Sequence, residues 1–117
     1  MTIAQLTKAL AMFAGERDWG QFHSPKNLAM ALSVEVAEIV ELFQWMKEED
    51  SCHITTEKLA ELRDEIGDVM IFLTNLASKF NIDPLEAAAQ KLEKNKKKYP
   101  ADLVKGKSAK YTEYGGS

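Results

Sequence analysis

Apolar residues recur at intervals of three and four along most of the chain, the spacing of amphipathic helices. The pattern predicts four main helices, which cover about residues 3–17, 25–46, 56–81 and 84–99. No segment shows the strict alternation of apolar and polar residues that a half-buried strand requires. The fold class is therefore all-α, and a four-helix bundle is the architecture that such a pattern favours.

Capping residues mark where the predicted helices begin. Thr2 with Gln5 forms a capping-box sequence, and a serine or aspartate precedes the prolines that open the second and fourth helices. Asn81 ends the third helix and Pro100 stops the fourth. Beyond Pro100 the helical period is lost, so we predict a domain over residues 1–100 and a tail over 101–117. The polar stretch 47–55 is predicted to be a loop, in which Cys52 and His53 are loop residues.

Four acidic residues interrupt this pattern in two pairs with three-residue spacing. Glu35 lies inside the apolar arc of the second helix and Glu65 inside that of the third, while Glu38 and Asp68 lie at the borders of the same arcs. Residues three apart are neighbours on one helix face. Burying an ionised carboxylate without compensation costs several kcal/mol or more, so these pairs require a partner.

Salt bridges to lysine or arginine are one possible compensation, but basic residues are sparse on both apolar faces and Arg63 lies well round the helix from Asp68. A divalent cation is the stronger interpretation. Ligand sets made only of carboxylate oxygens suit Mg²⁺ or Mn²⁺, and they disfavour zinc. Because Mg²⁺ is usually held by a few carboxylates together with phosphates and waters, the pattern points toward a phosphorylated substrate.

The rest of the chain offers groups that suit such a substrate. Three residues share one face of the fourth helix: Lys91, Asn95 and Lys98. Four aromatic side chains are candidates for stacking on a base: Trp19, Phe22, Trp45 and Phe72. Both sets have simpler interpretations, because a basic helix end interacts favourably with its own dipole and tryptophans near helix ends often pack at the edge of a core.

Composition narrows the class of protein. The chain has 117 residues, a net charge of -3 and one cysteine, which fits a single folded domain without an internal disulfide framework. The mild acidity gives no reason to expect nucleic acid binding. Because the N-terminal residues lack the pattern of a signal peptide and no apolar run is long enough to span a bilayer, we expect a cytoplasmic protein without membrane contact.

Four stretches, taken together, resemble a known superfamily. They are ERDWGQFHSPKNL (16–28), EVAEIVELFQW (35–45), DEIGDVMIFL (64–73) and KLEKNKKKYP (91–100). The sequence resembles the all-α nucleoside triphosphate pyrophosphohydrolases, the MazG-like superfamily, and within it the dCTP pyrophosphatase branch. The paired acidic residues reproduce the ExxE and ExxD pattern of that superfamily, and FHxPxNL, FQW and KxxxNxxxYP make the likeness specific.

The resemblance implies Mg²⁺-dependent hydrolysis of a deoxynucleoside triphosphate, with dCTP or a related or modified nucleotide favoured, to the monophosphate and pyrophosphate. Residues implied to hold the metal and to carry catalysis are Glu35, Glu38, Glu65 and Asp68. Those implied to meet the substrate are Trp19, His23, Trp45, Lys91, Asn95 and, on the same helix face, Lys98. Close relatives often have tyrosine where Phe72 stands. The resemblance also implies assembly as a dimer or a dimer of dimers.

In the mechanism that this implies, a metal-bound water attacks the α-phosphorus, and Glu38, nearest to solvent, is the candidate that accepts its proton. Two alternatives remain at this stage: a non-catalytic helical module that binds nucleotide or a partner around a structural ion, and a related enzyme acting on phosphoribosyl-ATP. FHxPxNL and FQW argue against the second. If the two apolar arcs face each other, Glu35 and Glu65 should be close enough to share a cation.

Overall fold

The structure, a computed structural model, describes residues 1–106 and contains no strand among them. Its helices are α1 (Ile3–Glu16), α2 (Pro25–Phe43), α3 (Thr56–Ser78), α4 (Pro84–Lys98) and the short α5 (Ala101–Val104). Two 3₁₀ helices, Gly20–Phe22 and Glu48–Cys52, lie between them. The all-α class with four main helices is confirmed, whereas the stretch 47–55, predicted as a loop, contains the second of these 3₁₀ helices.

The predicted helix starts agree with the capping geometry. At the start of α1, the Thr2 backbone N–H donates to Gln5 Oε1 at 2.8 Å and the Gln5 N–H donates to Thr2 Oγ1 at 3.1 Å. The Ser24 hydroxyl oxygen accepts from the Asn27 N–H before α2, and the Thr55 hydroxyl oxygen accepts in the same way before α3. These side chains satisfy N–H groups that have no partner within the helix.

Two helix ends differ from the sequence prediction. Helix α2 ends at Phe43 rather than Met46, because the Met46 N–H bonds to the Phe43 carbonyl three residues back, in a tighter turn. Helix α3 ends at Ser78 rather than Asn81. Asn81 has a φ of 54°, a left-handed conformation that asparagine tolerates better than most residues and that cannot continue the helix.

After Pro100 the chain is helical again for one turn, which the sequence pattern did not predict. Helix α5 is closed by the Val104 N–H, which donates to the Pro100 carbonyl at 3.1 Å. The proline ends α4 and opens α5, since it suits the start of a helix and cannot continue one. The rest of the predicted tail, residues 107–117, lies outside the described residues, and the assignment of residues 1–100 as one domain stays a prediction.

The chain divides into two compact units, the first Met1–Asp83 and the second beginning at Pro84. In the first unit α2 packs along α3, and α1 packs against α3 as well. Leu28 on α2 and Ala77 on α3 are its buried apolar side chains, at 1% and 8% exposure. The second unit carries α4 and α5, neither of which has a buried residue.

One face of α3 is apolar and exposed. Leu59, Ile66, Met70 and Leu73 are 46%, 53%, 37% and 37% exposed. Their spacing of seven, four and three residues aligns them along the helix. We call this set the α3 stripe. A contiguous row of large apolar side chains on a helix is characteristic of a surface that meets another surface.

Thr74 is a buried defect of the first unit, because its side chain is 1% exposed and its hydroxyl has no hydrogen-bond partner. An unsatisfied buried hydroxyl costs about 1–3 kcal/mol. We therefore expect Thr74→Val, which keeps the branched shape, to raise the free energy of unfolding in urea by about 1 kcal/mol. The matched control is Thr7→Val on α1, whose hydroxyl donates to the Ile3 carbonyl at 2.8 Å and should show no gain. A loss of stability in Thr74→Val would contradict this account.

Candidate active site

A cluster of three carboxylates lies where α2 and α3 pack together. Glu35, Glu38 and Glu65 each place one carboxylate oxygen within 4.8 Å of the others, and all three side chains are half-buried. The predicted approach of Glu35 to Glu65 is confirmed. The cause is local, because both residues lie inside apolar arcs and packing of those arcs brings their carboxylates to the interface.

Two carboxylate oxygens of this acidic cluster lack a hydrogen-bond partner among the described residues. Oε2 of Glu35 and Oε2 of Glu65 are buried and have no hydrogen-bond partner. Among the described residues, the ion pairs join Arg17 to Glu16 and Lys96 to Glu93, and none involves the cluster. The salt-bridge interpretation of the acidic pairs is therefore not supported by residues 1–106, and the cluster has the oxygen donors that a hard cation requires.

Glu35 and Glu65 both have raised pKa values. Glu65 has its pKa raised from 4.5 to about 7, first by a hydrogen bond to Glu38 and then by burial and by Glu35. Burial is the main cause of the raised pKa of Glu35, and the charges of Glu38 and Asp68 add to it. Contact with Glu35 adds to the raised pKa of Glu65, whereas the same contact opposes the rise in the pKa of Glu35, as expected for two carboxylates that compete for a proton.

Asp68 stands apart from the other three acidic residues. It lies one turn beyond Glu65 on α3, is half-buried, and lines a neighbouring cavity rather than joining the three-carboxylate group. Its charge still raises the pKa of Glu35. The structure thus brings three of the four predicted metal ligands together and places the fourth between the cluster and the cavity.

The cavity that Asp68 lines is apolar and has a volume of about 400 Å³, within the range of small-molecule sites. Its walls come from α1, α3 and the turn that follows α1. Phe13 and Trp19 meet edge to face, with ring centroids 5.5 Å apart and an angle of 73° between the rings. Phe72 is a further aromatic wall, and His23 lines the same space. Trp19, His23 and Phe72, three of the predicted substrate residues, thus share one cavity.

Six residues of this cavity wall were not predicted to meet a substrate, among them Phe13 and Asn75. Asn75 lies three residues after Phe72 and seven after Asp68, so it shares their face of α3. The helical period alone could have identified it. Phe13 lies on α1, and only the packing of α1 on α3 shows that it faces a cavity.

A second cavity of about 360 Å³ adjoins the acidic cluster and is polar. Glu38 and Glu65 form part of its wall, with Glu41, Glu61 and Lys58 around them. Lys58 belongs to the first turns of α3, and its amino group is the cationic side chain of this wall. The acidic cluster is therefore accessible to water and to polar ligands on this side. The sequence pattern did not predict the cavity, because it is formed between two helices.

The remaining predicted substrate residues lie outside both cavities. Trp45 follows α2 and is 90% exposed, and it lines neither cavity. Lys91, Asn95 and Lys98 belong to α4 in the second unit, where four- and three-residue spacing aligns them on one face. The pKa of Lys91 is lowered, mainly by the positive charge of Lys98.

Comparison with known families shows which class of protein has this combination of helices, paired acidic residues and apolar cavity. The sequence profile of the MazG-like family matches residues 30–114. The chain belongs to the MazG-like family, and its class is that of a nucleoside triphosphate pyrophosphatase. The predicted family and enzyme class are thereby confirmed. Among the described residues, no helix is long and apolar enough to cross a membrane.

Particular relatives agree with this assignment. The chain is 41% identical over 114 residues to dCTP pyrophosphatase 1 of Homo sapiens, a match that covers 96% of this chain and 67% of that protein. It is 39% identical over 114 residues to dCTP pyrophosphatase 1 of Bos taurus, covering 96% and 68%. A crystal structure of a pyrophosphatase from Archaeoglobus fulgidus superposes with a TM-score of 0.78 at 40% identity, covering 83% of this chain and 91% of that one.

Proposed function

We propose that the protein hydrolyses a deoxynucleoside triphosphate to the monophosphate and pyrophosphate, with dCTP or a related or modified nucleotide as the favoured substrate and Mg²⁺ as the cofactor. The observation that carries this proposal is the uncompensated cluster of Glu35, Glu38 and Glu65 beside an aromatic cavity. The names of the relatives, dCTP pyrophosphatase 1 and a pyrophosphatase, support the same choice of reaction and base.

The chemistry of the donor set fits a hard divalent cation. Glu35, Glu38 and Glu65 offer only oxygen ligands, two of which are buried and unpartnered, and the described part of the cluster includes no histidine or cysteine. Mg²⁺ suits such a site and Mn²⁺ is the second choice. Asp68 would join from the side of the cavity. When bound, the ion neutralises triphosphate charge and lowers the pKa of a coordinated water.

The protein side chains orient the reaction. Attack of water on the α-phosphorus forms one P–O bond and breaks the bond to the bridging oxygen of the β-phosphate, so that pyrophosphate leaves. Glu38 borders the polar cavity as well as the cluster, which suits it to accept the proton of the attacking water. Glu35, buried more deeply in the arc of α2, would hold charge without exchanging protons with solvent.

The apolar cavity suits the nucleoside. Trp19 and Phe72 supply aromatic surfaces for stacking, and His23 is a polar group at the wall. Asp68 is shared between the cavity and the edge of the cluster, so a nucleotide bound with its base in the cavity would extend its phosphates toward Glu35 and Glu65. Trp45 is 90% exposed and lines neither cavity of its own chain. We therefore keep it as a base-pocket residue only for the pocket of a neighbouring subunit.

Stacking in this cavity gives a testable expectation for Trp19→Ala. Base–aromatic stacking is worth about 1–3 kcal/mol, so KM for dCTP should rise by about 5- to 150-fold while kcat changes much less. Steady-state kinetics over a range of dCTP concentrations checks this. The matched control is Phe22→Ala, because Phe22 is 60% exposed and lines neither cavity. Equal effects of the two substitutions would argue against the cavity as the base site.

Helix α4 supplies candidate phosphate ligands. The ammonium of Lys98 lowers the pKa of Lys91, so two positive charges are held close together on one face. An anion between them relieves that repulsion, and phosphate oxygens are suitable acceptors for both ammonium groups and for the amide of Asn95. We therefore keep Lys91, Asn95 and Lys98 as the proposed triphosphate contacts.

We also propose that the active form is a homo-oligomer, a dimer or a dimer of dimers. The support is the α3 stripe, because four large apolar side chains on one helix are 37% to 53% exposed. Further apolar side chains on α2 are exposed too, among them Met30, Val34 and Val40. Burial of apolar surface is the main driving force for association, and a second copy of the chain is the partner that the resemblance implies.

Turnover is the experiment that tests the proposed function. Purified protein with Mg²⁺ is incubated with a panel of canonical and modified deoxynucleoside triphosphates, and release of pyrophosphate is measured. We expect the highest kcat/KM with dCTP or a modified cytosine nucleotide, and no turnover with EDTA. Failure to release pyrophosphate from any member of the panel would overturn the proposal. The same panel, extended to phosphoribosyl-ATP, tests the alternative substrate.

A further inference from the structure

Asn75 is a polar side chain with no assigned partner in the wall of the apolar cavity. It is half-buried on α3, and its backbone carbonyl accepts a hydrogen bond from the Ser78 hydroxyl at 2.7 Å. Among residues 1–106, no group hydrogen-bonds to its amide, which faces the same space as Trp19 and Phe72. Among the described residues, the buried polar atoms without a partner belong to Glu35, Glu65 and Thr74, so the Asn75 amide is open to the cavity, where a ligand can form hydrogen bonds with it.

Position along α3 separates Asn75 from the acidic cluster. Glu65, Asp68, Phe72 and Asn75 follow one another on a single face at intervals of three and four residues. At a rise of about 1.5 Å per residue, Asn75 lies about 15 Å along the helix axis from Glu65. The metal ligand and the amide are therefore at opposite ends of the region that a bound nucleotide would cover.

The chemistry of the amide matches a nucleobase edge. An asparagine side chain presents a donor beside an acceptor, and it forms paired hydrogen bonds with a base edge that presents an acceptor beside a donor. The aromatic walls can stack on any base, because every base has a π-face. Stacking by Trp19 and Phe72 therefore contributes affinity but does not distinguish one base from another. Selectivity among bases requires a separate polar group in the cavity.

We propose that Asn75 is a specificity-determining residue that reads the hydrogen-bonding edge of the substrate's base. The proposal rests on the proposed function, since it assumes that the base occupies the apolar cavity. It goes beyond that function by naming the group that distinguishes a hydrogen-bonding base from any flat aromatic ring. Asp68 cannot serve this purpose in the same way, because it lies at the end of the cavity nearest the cluster.

The test compares two substrates of equal shape. One is a pyrimidine deoxynucleoside triphosphate, whichever of dCTP and dTTP is turned over faster, and the other carries difluorotoluene, an aromatic ring of similar shape that forms no comparable hydrogen bonds. A paired hydrogen bond to a base is worth about 1–3 kcal/mol of discrimination. We expect the wild-type protein to prefer the natural base in kcat/KM by about 5- to 150-fold, and Asn75→Leu to reduce that ratio to near one.

Controls keep the result interpretable. Arg63→Leu lies on the same helix, is exposed and lines neither cavity, so it should keep the wild-type ratio. Thermal unfolding of each variant is measured in parallel, and Asn75→Ser, expected to lose the preference as well, replaces the leucine variant if that one fails to fold. A preference that persists in the Asn75 variants would overturn the proposal. Absence of turnover by the wild-type protein with every nucleotide would instead overturn the proposed function itself.

Discussion

Replacing Glu65 by glutamine should lower kcat/KM by about 10² to 10³-fold, the scale observed when a group that acts on developing charge is removed. The substitution keeps the size of the side chain and removes one negative charge from the cluster. We expect Mg²⁺ to raise the thermal stability of the wild-type protein, and the substitution should abolish that rise. Pyrophosphate release and melting temperature with and without Mg²⁺ are the two measurements.

The same substitution has a predictable pH signature. Since the pKa of Glu65 is raised from 4.5 to about 7, the metal-free folded protein binds more protons than the unfolded chain between those values. Its stability therefore falls as pH rises through that window. In EDTA, the wild-type melting temperature should be lower at pH 8 than at pH 5.5, and Glu65→Gln should reduce that difference. Mg²⁺ should restore the wild-type stability at pH 8.

Glu41→Gln is the matched control for this experiment. Glu41 lies on α2 and borders the polar cavity, but it is exposed and does not belong to the three-carboxylate group. Its loss should change activity and the pH dependence of stability only slightly. If Glu65→Gln keeps turnover, or if it unfolds at pH 8 in the absence of metal, the cluster is not the catalytic metal site. Unfolding would favour the alternative of a structural ion.

Replacing Ile66 by glutamate should dissociate the proposed oligomer. Ile66 is 53% exposed at the middle of the α3 stripe, and a charge buried without a partner in an apolar interface costs several kcal/mol. The dissociation constant should rise by about 10³-fold or more, since each 1.4 kcal/mol is a factor of ten. Light scattering after size exclusion gives the molar mass, and kcat/KM shows whether activity depends on assembly.

Ile66→Leu, which keeps the side chain apolar, should retain the wild-type mass and activity. A lower melting temperature for Ile66→Glu at unchanged mass would contradict the proposed interface, because it would show that the stripe packs within one chain. A monomeric wild-type protein would contradict it more directly. Comparison of the wild-type protein with the Ile66→Glu and Ile66→Leu variants therefore distinguishes self-association from packing within one chain.

The local features of this protein were predictable from its sequence. Capping by Thr2 and Ser24 depends on residues within one turn, so the starts of α1 and α2 follow from the sequence itself. The approach of Glu35 to Glu65 was predictable for a related reason, because two apolar arcs that share a core must face each other. Helix periodicity thus contained most of the information about the acidic cluster.

Features that depend on contacts between helices could not be predicted from the sequence. Glu38 and Asp68 occupy equivalent borders of their arcs, yet only Glu38 joins the three-carboxylate group. That difference depends on how α2 is shifted along α3, which no single-helix pattern defines. The two cavities also depend on how the helices pack, so no sequence pattern indicated that Lys58 lines the wall beside the cluster. Exposure of Trp45 could likewise not be derived, since aromatic residues near helix ends occur in both environments.

Helix α3 carries residues of the acidic cluster and of the apolar cavity on one face. Glu61 and Glu65 lie in its first half, Asp68 lies just past its middle, and Phe72 and Asn75 lie in its second half. Insertion of one residue between the two halves would rotate the cavity residues by about 100° about the helix axis relative to the acidic residues, so the two sets would no longer share a face. A substitution at position 72 or 75, by contrast, leaves the acidic half unchanged. Relatives built on such a helix can therefore diverge in the base they accept while preserving the reaction, so long as the length between the two halves is kept.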